Sequence, residues 1–332
     1  MAGRRSVWND PRVIEKVKAF VPATDEVWRL QRHQDRECRF FRHKVRGNPA
    51  PVGGSWQGLY IFAPDGTLLA RRNTLNPDAA MKLMDSGLEK WSALAREERK
   101  AADPAEYLPQ HRWENSMPTD GLVLRSTLRD LPAEGIGPEG RGRWNRDHAW
   151  FNREEARSWM PEEVSVRQKH TLPQALALRL ARFHVVDNVS GQEGPYATDD
   201  IEHAEIEIEV TAVEGNMATI QISGVFRSES DGVYKLGETD WRHFPSRTRG
   251  IDATLRGEAT WNIAKRRFSA FRAAAHGKAW GGSGLNGRRG VTREQPAAIG
   301  WYFELVEDDP RDRLAPAFID VYNADWVIQP DA

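Results

Sequence analysis

Residues 53–91, GGSWQGLYIFAPDGTLLARRNTLNPDAAMKLMDSGLEKW, contain the strongest fold signal in the chain. Within them, LYIFAP is a continuous apolar run, which is typical of a central strand buried on both faces. Asp65 and Gly66 favour a tight hairpin turn, and TLLARR is expected to return as the next strand. Asn76 followed by Pro77 predicts a helix start. The stretch therefore predicts a strand, a hairpin, a second strand and a helix.

The residues before this stretch predict two more helices and a short strand. DPRVIEKVKAF (10–20) favours a helix capped by Asp10, because its apolar residues recur at helical spacing. FVPATDEVW (20–28) is expected to form a short strand, and a second helix is expected over 25–45. The Pro- and Gly-rich loop GNPAPVGG ends that helix. The predicted order is helix, strand, helix, strand, hairpin, strand, helix.

The motifs WNDPRV, FVP, PDGTLL and NPDAAMKL occur in this order along residues 8–95. On these residues the segment resembles the thioredoxin-like proteins of the thiol-disulfide interchange type. In that family a redox Cys-x-x-Cys lies upstream of the part that matches NDPRVIEKVKAFVP, and a cis-proline precedes the central strand. Here seven residues precede Trp8, and Ser55-Trp56-Gln57-Gly58 stands in the place of the proline. The resemblance therefore implies the thioredoxin-like architecture without dithiol exchange.

Length and composition indicate a polar protein of two domains, or of one large domain. The chain has 332 residues, with 47 basic and 48 acidic side chains and a net charge of −1. This balance gives no global attraction to nucleic acid, so a nucleic-acid partner is not expected. We find neither an apolar signal core nor an 18-residue apolar run, which predicts no membrane span and a cytoplasmic protein, with an exported mature form as the alternative.

Cys38 is the one cysteine of the chain, so no internal disulfide can form. Arg36, Arg39 and Arg42 would favour its thiolate if they surround it, which makes Cys38 the candidate catalytic residue. Its position inside the predicted helix, five residues from either neighbouring histidine, favours a buried structural cysteine instead.

The second half of the chain changes from helical to strand periodicity. Residues 1–97 are assigned to the thioredoxin-like domain, 98–143 to a linker and crossover, and 144–332 to a larger domain. Within the linker, DGLVLRSTLRDL alternates like a strand. NREEARSWM, with a capping-box pattern at Asn152 and Glu155, and HTLPQALALRLARF, with Thr171 as cap, predict two helices. HAEIEIEVTAV, MATIQISGVF and later segments alternate with period two.

These segments predict at least six strands, each with one polar face. The fold class is therefore α/β plus mainly β. A thioredoxin-like domain would precede an antiparallel sheet or partly open barrel that two helices flank.

The nine histidines show no HExxH, HxH or HxxxH spacing. Asp147, His148 and His170 flank the first predicted helix of the second domain, so they are the candidate metal ligands. No cofactor is predicted, and a metal at these three residues is the alternative.

GGSGLNGRRG (281–290) contains a Gly-x-Gly-x-x-Gly pattern without the strand and helix that a dinucleotide site requires. It is expected to be a loop. The alternative is a flap whose arginines meet an anion.

These observations favour a binding or scaffolding module whose protein or small-molecule ligand meets Ser55, Trp56, Gln57 and Gly58. Whether the protein is an enzyme stays open. An enzyme that uses Cys38 as a single reactive thiol, or a histidine-lined metal site, is the alternative. A further alternative is a β-barrel that carries an apolar ligand.

Overall fold

The computed structural model of the chain describes residues 5–24, 27, 30, 36–46, 56–101, 113–131, 144–189, 194–231, 234–236, 242–244, 248–281, 288, 290–306 and 312–327. The chain divides between Arg112 and Trp113 into two compact units.

The first unit contains a β-hairpin and several helices. Its strands are Leu59–Phe62 (β1) and Leu68–Arg72 (β2). Its α-helices are Arg5–Trp8 (α1), Pro11–Val17 (α2), Arg36–Arg46 (α3) and Pro77–Ala93 (α4). Asp10 and Asn76 cap α2 and α4 through their side chains, as the sequence predicts.

The hairpin has apolar clusters on both faces. Leu59 and Ile61 pack with residues of α1, α2 and α4, whereas Tyr60 and Phe62 pack with residues of α3. Successive strand residues point to opposite faces, so one short strand serves both clusters. At the turn, Gly66 has a φ of 82°, a backbone conformation that residues with a side chain rarely adopt. The expected hairpin is confirmed.

The short strand expected in FVPATDEVW is not formed over residues 20–24. Val21 is 95% exposed, so nothing packs against it as a sheet would. Of residues 25–28, Val27 alone is described, and it is helical. Within the described residues of this unit, the sheet has two strands.

The second unit is mainly β. Its strands are Leu122–Asp130 (β3), Trp144–Phe151 (β4), Lys169–Thr171 (β5), Ile201–Glu214 (β6), Met217–Ser230 (β7), Tyr234–Leu236 (β8), Arg242–Phe244 (β9), Arg249–Asn262 (β10), Arg267–Trp280 (β11) and Ala297–Leu305 (β12). Its α-helices are Arg153–Arg157 (α5) and Gln174–Arg179 (α6), and a π-helical turn, Leu180–His184, continues α6.

Eight of these strands form one antiparallel sheet in the order β4-β3-β12-β11-β10-β7-β6-β5. Among the described residues, β4 and β5 are its two edges. Each long strand alternates between buried apolar and polar residues, because one face packs on the core. We call the packed face inner and the opposite face outer. The expected antiparallel, mainly β architecture is confirmed.

The inner face, α5, α6 and the π-helical turn enclose one apolar core. Trp159, which follows α5, packs edge-on against Phe151, Phe268 and Phe271 at ring distances of 5.4 to 6.2 Å. The capping box at Asn152 and Glu155 is present, so the predicted start of α5 is confirmed.

Two segments differ from expectation. The strand predicted in DGLVLRSTLRDL is formed as β3, but it pairs with β4 and β12 inside the sheet, whereas it was assigned to the linker over 98–143. Thr171, expected to cap a helix, ends β5 instead, because its residues pair with β6, and α6 begins at Gln174 after Pro173.

The C-terminal segment, Asp312–Val327, covers the edge strand β4. Its Tyr322 hydroxyl accepts from the Trp150 amide at 3.1 Å and donates to the Trp150 carbonyl at 2.9 Å. Ile319, Tyr322 and Val327 form a second apolar cluster with Trp150. Covering an edge in this way removes the unpaired backbone groups to which another chain could add a strand.

Candidate functional site

One of the four residues predicted to bind a ligand in the first unit, Trp56, packs in an apolar cluster. Ser55 lies outside the described residues. Trp56 is buried, with its ring 6.1 Å from that of Phe41, whereas Gln57 and Gly58 are half-buried. Trp56 thus joins α3 to β1 within one apolar cluster. A ligand site at these four residues stays a prediction.

Cys38 is fully buried in α3. Phe41 and Val45, three and seven positions further along, are buried on the same side of the helix. This position fits a structural cysteine. Catalysis by the thiol would require α3 to expose it, and that alternative stays a prediction.

The three candidate metal ligands do not come together. Asp147 and His148 are neighbours on β4, so their side chains lie on opposite faces of the sheet. His170 lies on β5 at the other edge, where its Nε2 is 2.9 Å from the carbonyl oxygen of Ser158. Over the residues that the structure describes, no group of three or more potential ligands is placed to hold a metal.

His148 contacts a chain of charged side chains on the outer face. Its Nε2 lies 3.2 Å from Asp312, whose other carboxylate oxygen accepts from Arg125 at 2.8 Å. Arg125 also donates to Glu304, its cross-strand partner on β12, at 2.7 and 2.9 Å. His148 and Asp312 are both almost fully buried. This chain of charges ties the start of the C-terminal segment to β3, β4 and β12.

Burial lowers the pKa of His148 below its usual value, although Asp312 and Asp147 oppose the shift. A depressed histidine pKa contributes stability that is complete above the unfolded pKa of about 6.5 and is lost as pH falls toward the folded pKa. We therefore expect the melting temperature to fall from pH 7 to pH 5.5. His148→Gln should flatten this decline, whereas His203→Gln, at an exposed site, should not. Equal slopes in all three proteins would contradict the assignment.

Asp147 takes part in a second buried arrangement, on the inner side of β4. One carboxylate oxygen lies 2.9 Å from His184 Nδ1, and the other accepts from the Ala317 amide at 2.7 Å. His184 Nε2 lies 3.2 Å from the Tyr322 hydroxyl. We call Asp147, His184 and Tyr322 the edge clamp, because they join β4, the π-helical turn and the C-terminal segment.

Arg179 lies beside the edge clamp. It donates to the carbonyl oxygen of Trp150 at 3.0 Å, forms a two-pronged ion pair with Glu155, and lies 4.9 Å from the centre of the Tyr322 ring. Trp326 donates to the same Glu155 at 3.2 Å. Such a planar two-pronged pair fixes geometry better than a point charge would.

The contacts of the edge clamp are structural, because they hold the C-terminal segment on β4. The side chains of His184 and Tyr322 are fully or almost fully buried. Burial raises the pKa of Tyr322, so its hydroxyl stays protonated and remains a donor. An Asp–His–Tyr chain could relay protons if it opened to solvent. In this arrangement the three side chains hydrogen-bond to one another, to the backbone of β4 and to the amide of Ala317.

Sequence reasoning counted His184 among the histidines that could converge in space but did not pair it with Asp147, and it missed Tyr322 and Asp312. His184 lies 37 residues from Asp147 and 138 from Tyr322, and Asp312 lies 164 from His148. No local spacing relates residues that far apart in the chain. The buried β4 that carries Asp147 and His148 was also missed, because WNRDHAWF is packed on both faces near its end and lacks alternation.

The outer face of the sheet holds an open groove of about 740 Å³. Across β6, β7, β10, β11 and β12, the residues in register are Glu207, Ser223, Arg256, Ala274 and Tyr302. Long and short side chains alternate along this row, so Ser223 and Ala274 leave hollows between the longer ones.

The groove is lined mainly by polar and charged side chains. Besides the row just described, Lys169, Glu209, Gln221, Glu258 and Arg272 contribute to it. Gly257 lies in its floor, where a Cβ atom would come within 2.5 Å of Ala273, so that close approach of β10 and β11 requires glycine. A polar ligand suits this lining.

The apolar core of the second unit contains a small cavity. The cavity between Trp159, Leu180 and Phe303, among others, amounts to about 10 Å³. That volume is close to the minimum for one water molecule, and its lining is apolar. Within the described residues, this core gives no support to the carriage of an apolar ligand inside the sheet.

The two units differ in charge. The residues up to Arg112 include 20 basic and 14 acidic side chains, and those from Trp113 onward include 27 and 34. The near-neutral total thus combines a basic first unit with an acidic second unit. Long-range attraction of a charged partner depends on which unit it approaches.

Comparison with protein-family models, with curated proteins and with solved structures found no match. Among the described residues, we also find no helix with the length and apolar character needed to cross a membrane.

Proposed function

We propose that this protein is a binding module whose ligand site is the groove on the outer face of the second unit. The observation that carries the proposal is the groove itself, a polar hollow of about 740 Å³ across six strands. The described histidine–carboxylate arrangements support it indirectly, because their buried atoms fasten the C-terminal segment rather than face solvent.

The chemistry of the lining supports binding of a polar ligand. The side chains of Arg256, Arg272 and Glu258 are exposed, so they can form ion pairs and hydrogen bonds with a ligand at the surface of the sheet. Rigid strands hold these side chains at fixed spacings, which favours recognition of shape and charge. Because the groove is open, the bound ligand keeps part of its hydration, and we expect moderate affinity.

Ala274→Trp tests the proposal, because the indole ring would fill the hollow between Arg256 and Tyr302. Ligand-observed NMR would use a defined mixture of polar fragments: free amino acids, dipeptides, dicarboxylates and sugar phosphates. The wild-type protein should give saturation-transfer signals that Ala274→Trp removes.

Ala270→Trp is the matched control, because Ala270 is an exposed alanine on the same strand that does not line the groove. It should retain the signals of the wild-type protein. If no fragment binds, or if both variants behave alike, the groove is not the ligand site.

We also infer that the first unit is a thioredoxin-like domain that has lost dithiol chemistry. The hairpin with helices on both faces, the capped α4 and the single buried Cys38 support this inference. With dithiothreitol present, neither the full-length protein nor Cys38→Ser should accelerate insulin reduction. Acceleration that Cys38→Ser abolishes would refute the loss of thiol chemistry.

A further inference from the structure

The charges in the groove are separated by strand. On its β6 side lie Glu207 and Glu209, with Lys169 of β5 at 2.8 Å from the first and 3.8 Å from the second. One lysine offsets two carboxylates there, so the β6 side remains negative. Glu205, the next outward residue of β6, is exposed and adds to this charge.

The opposite side of the groove is positive. Arg256 of β10 and Arg272 of β11 occupy diagonal positions on the outer face, since Ala274 faces Arg256 and is two residues from Arg272. Among the described residues, neither arginine has an ion-pair partner within 4.0 Å. Glu258, opposite Arg272 on β10, offsets one of the two charges, and Glu304, opposite Arg272 on β12, is paired with Arg125. Tyr302 offers a half-exposed hydroxyl beside them.

The spacing between neighbouring strands gives the distance between the negative and the positive sides of the groove. Neighbouring strands lie about 4.8 Å apart, so β6 is about 10 Å from β10 and about 14 Å from β11. An extended peptide advances about 3.3 Å per residue and presents every second side chain on one face. Two side chains four positions apart therefore lie on one face at about 13 Å, which matches the distance between the two charged sides.

We propose that the groove, as the site on which the proposed function rests, binds an extended peptide segment of a partner protein with a basic and an acidic residue four positions apart. The basic side chain pairs with Glu207 and Glu209, and the acidic side chain with Arg256 and Arg272. The acidic character of the second unit favours approach by the basic end.

Acetylated and amidated pentapeptides are the probes: Lys-Ser-Thr-Ser-Glu, its reverse Glu-Ser-Thr-Ser-Lys, and the neutral Gln-Ser-Thr-Ser-Gln. Each is titrated into the full-length isotope-labelled protein, with the amide resonances of the groove, Gly257 above all, as readout. At least one dipolar peptide should shift these resonances with an affinity about fivefold or more above that of the neutral peptide, because two exposed ion pairs each contribute modestly.

Two double variants and one control locate the contacts. Arg256→Gln with Arg272→Gln should weaken the dipolar peptide about twofold, because one of its two ion pairs is lost, and leave the neutral peptide unchanged, and Glu207→Gln with Glu209→Gln should do the same. Arg267→Gln, at an exposed arginine of β11 outside the groove, should change nothing. The wild-type comparison of peptides stands on its own if a variant folds poorly.

The outcomes separate this proposal from the proposed function. Equal shifts with dipolar and neutral peptides would overturn the proposal that the ligand is a dipolar peptide. Groove shifts by inorganic phosphate that match those of the peptides would overturn it as well. Either result still leaves a binding groove if Ala274→Trp removes fragment signals. If Ala274→Trp removes nothing, and no peptide shifts Gly257, both proposals fail.

Discussion

Arg288→Met is expected to destabilise the second unit by about 3–5 kcal/mol. The guanidinium of Arg288 is almost fully buried and donates to Asp187 at 2.8 Å and to Asp130 at 2.7 Å. Removal of the cation would take the two-pronged ion pair from the largely buried carboxylate of Asp187 and one ion pair from that of Asp130, which is the costly way to break a buried ion pair. Calorimetry of the full-length protein should show the larger unfolding transition shifted to lower temperature.

Arg293→Met is the matched control for this prediction. Arg293 also forms an ion pair, with Glu229 at 2.9 Å, but its side chain is 61% exposed. Exposed pairs contribute at most about 1 kcal/mol, so this variant should melt close to the wild-type protein. Asp130→Asn and Asp187→Asn, combined with Arg288→Met, should restore much of the stability. Equal melting temperatures for Arg288→Met and Arg293→Met would refute a buried charge cluster at Arg288.

Tyr322→Phe is expected to cost about 3 kcal/mol, which corresponds to a melting-temperature decrease of about 6–12 °C in a domain of this size. The substitution keeps the ring in its apolar cluster and removes the hydroxyl alone. The amide of Trp150 and the Nε2 atom of His184 would each lose a buried partner, whereas the carbonyl of Trp150 would keep its hydrogen bond from Arg179. Buried polar groups left unpaired account for the size of the effect.

Hydrogen exchange gives a local readout for the same variant. The Trp150 amide should exchange faster in Tyr322→Phe, because its acceptor is the hydroxyl that the substitution removes. Tyr302→Phe, at an exposed position on β12, should leave both exchange and melting temperature nearly unchanged. An unchanged Trp150 amide in Tyr322→Phe would mean that the C-terminal segment does not secure the edge of β4.

Arg288 also illustrates which contacts can be predicted from the sequence and which require the structure. The loop residues 281–290 suggested a flap whose arginines could meet an anion. The structure places Arg288 on two carboxylates of the same unit, Asp187 and Asp130, at sequence separations of 101 and 158 residues. The anion is thus supplied internally for this arginine, and no local pattern could reveal residues so far away.

The sequence by itself determined the features that depend on neighbouring residues. The hairpin at Asp65 and Gly66, the cap of α4 at Asn76 and the capping box at Asn152 were predictable, because turn and cap hydrogen bonds join residues two to four positions apart. The alternating strands β6, β7 and β10 were predictable for a similar reason, since a sheet with one packed face imposes a period of two.

Tertiary structure alone decided which of the distant polar residues meet. Asp147 and His148 were predicted to share a site, yet adjacent strand positions send them to opposite faces, one to His184 and the other to Asp312. The groove likewise combines residues of six strands whose register is set by long-range pairing. Periodicity specifies the face on which a side chain lies, whereas strand order and register specify its neighbours, and these arise from packing of the whole unit.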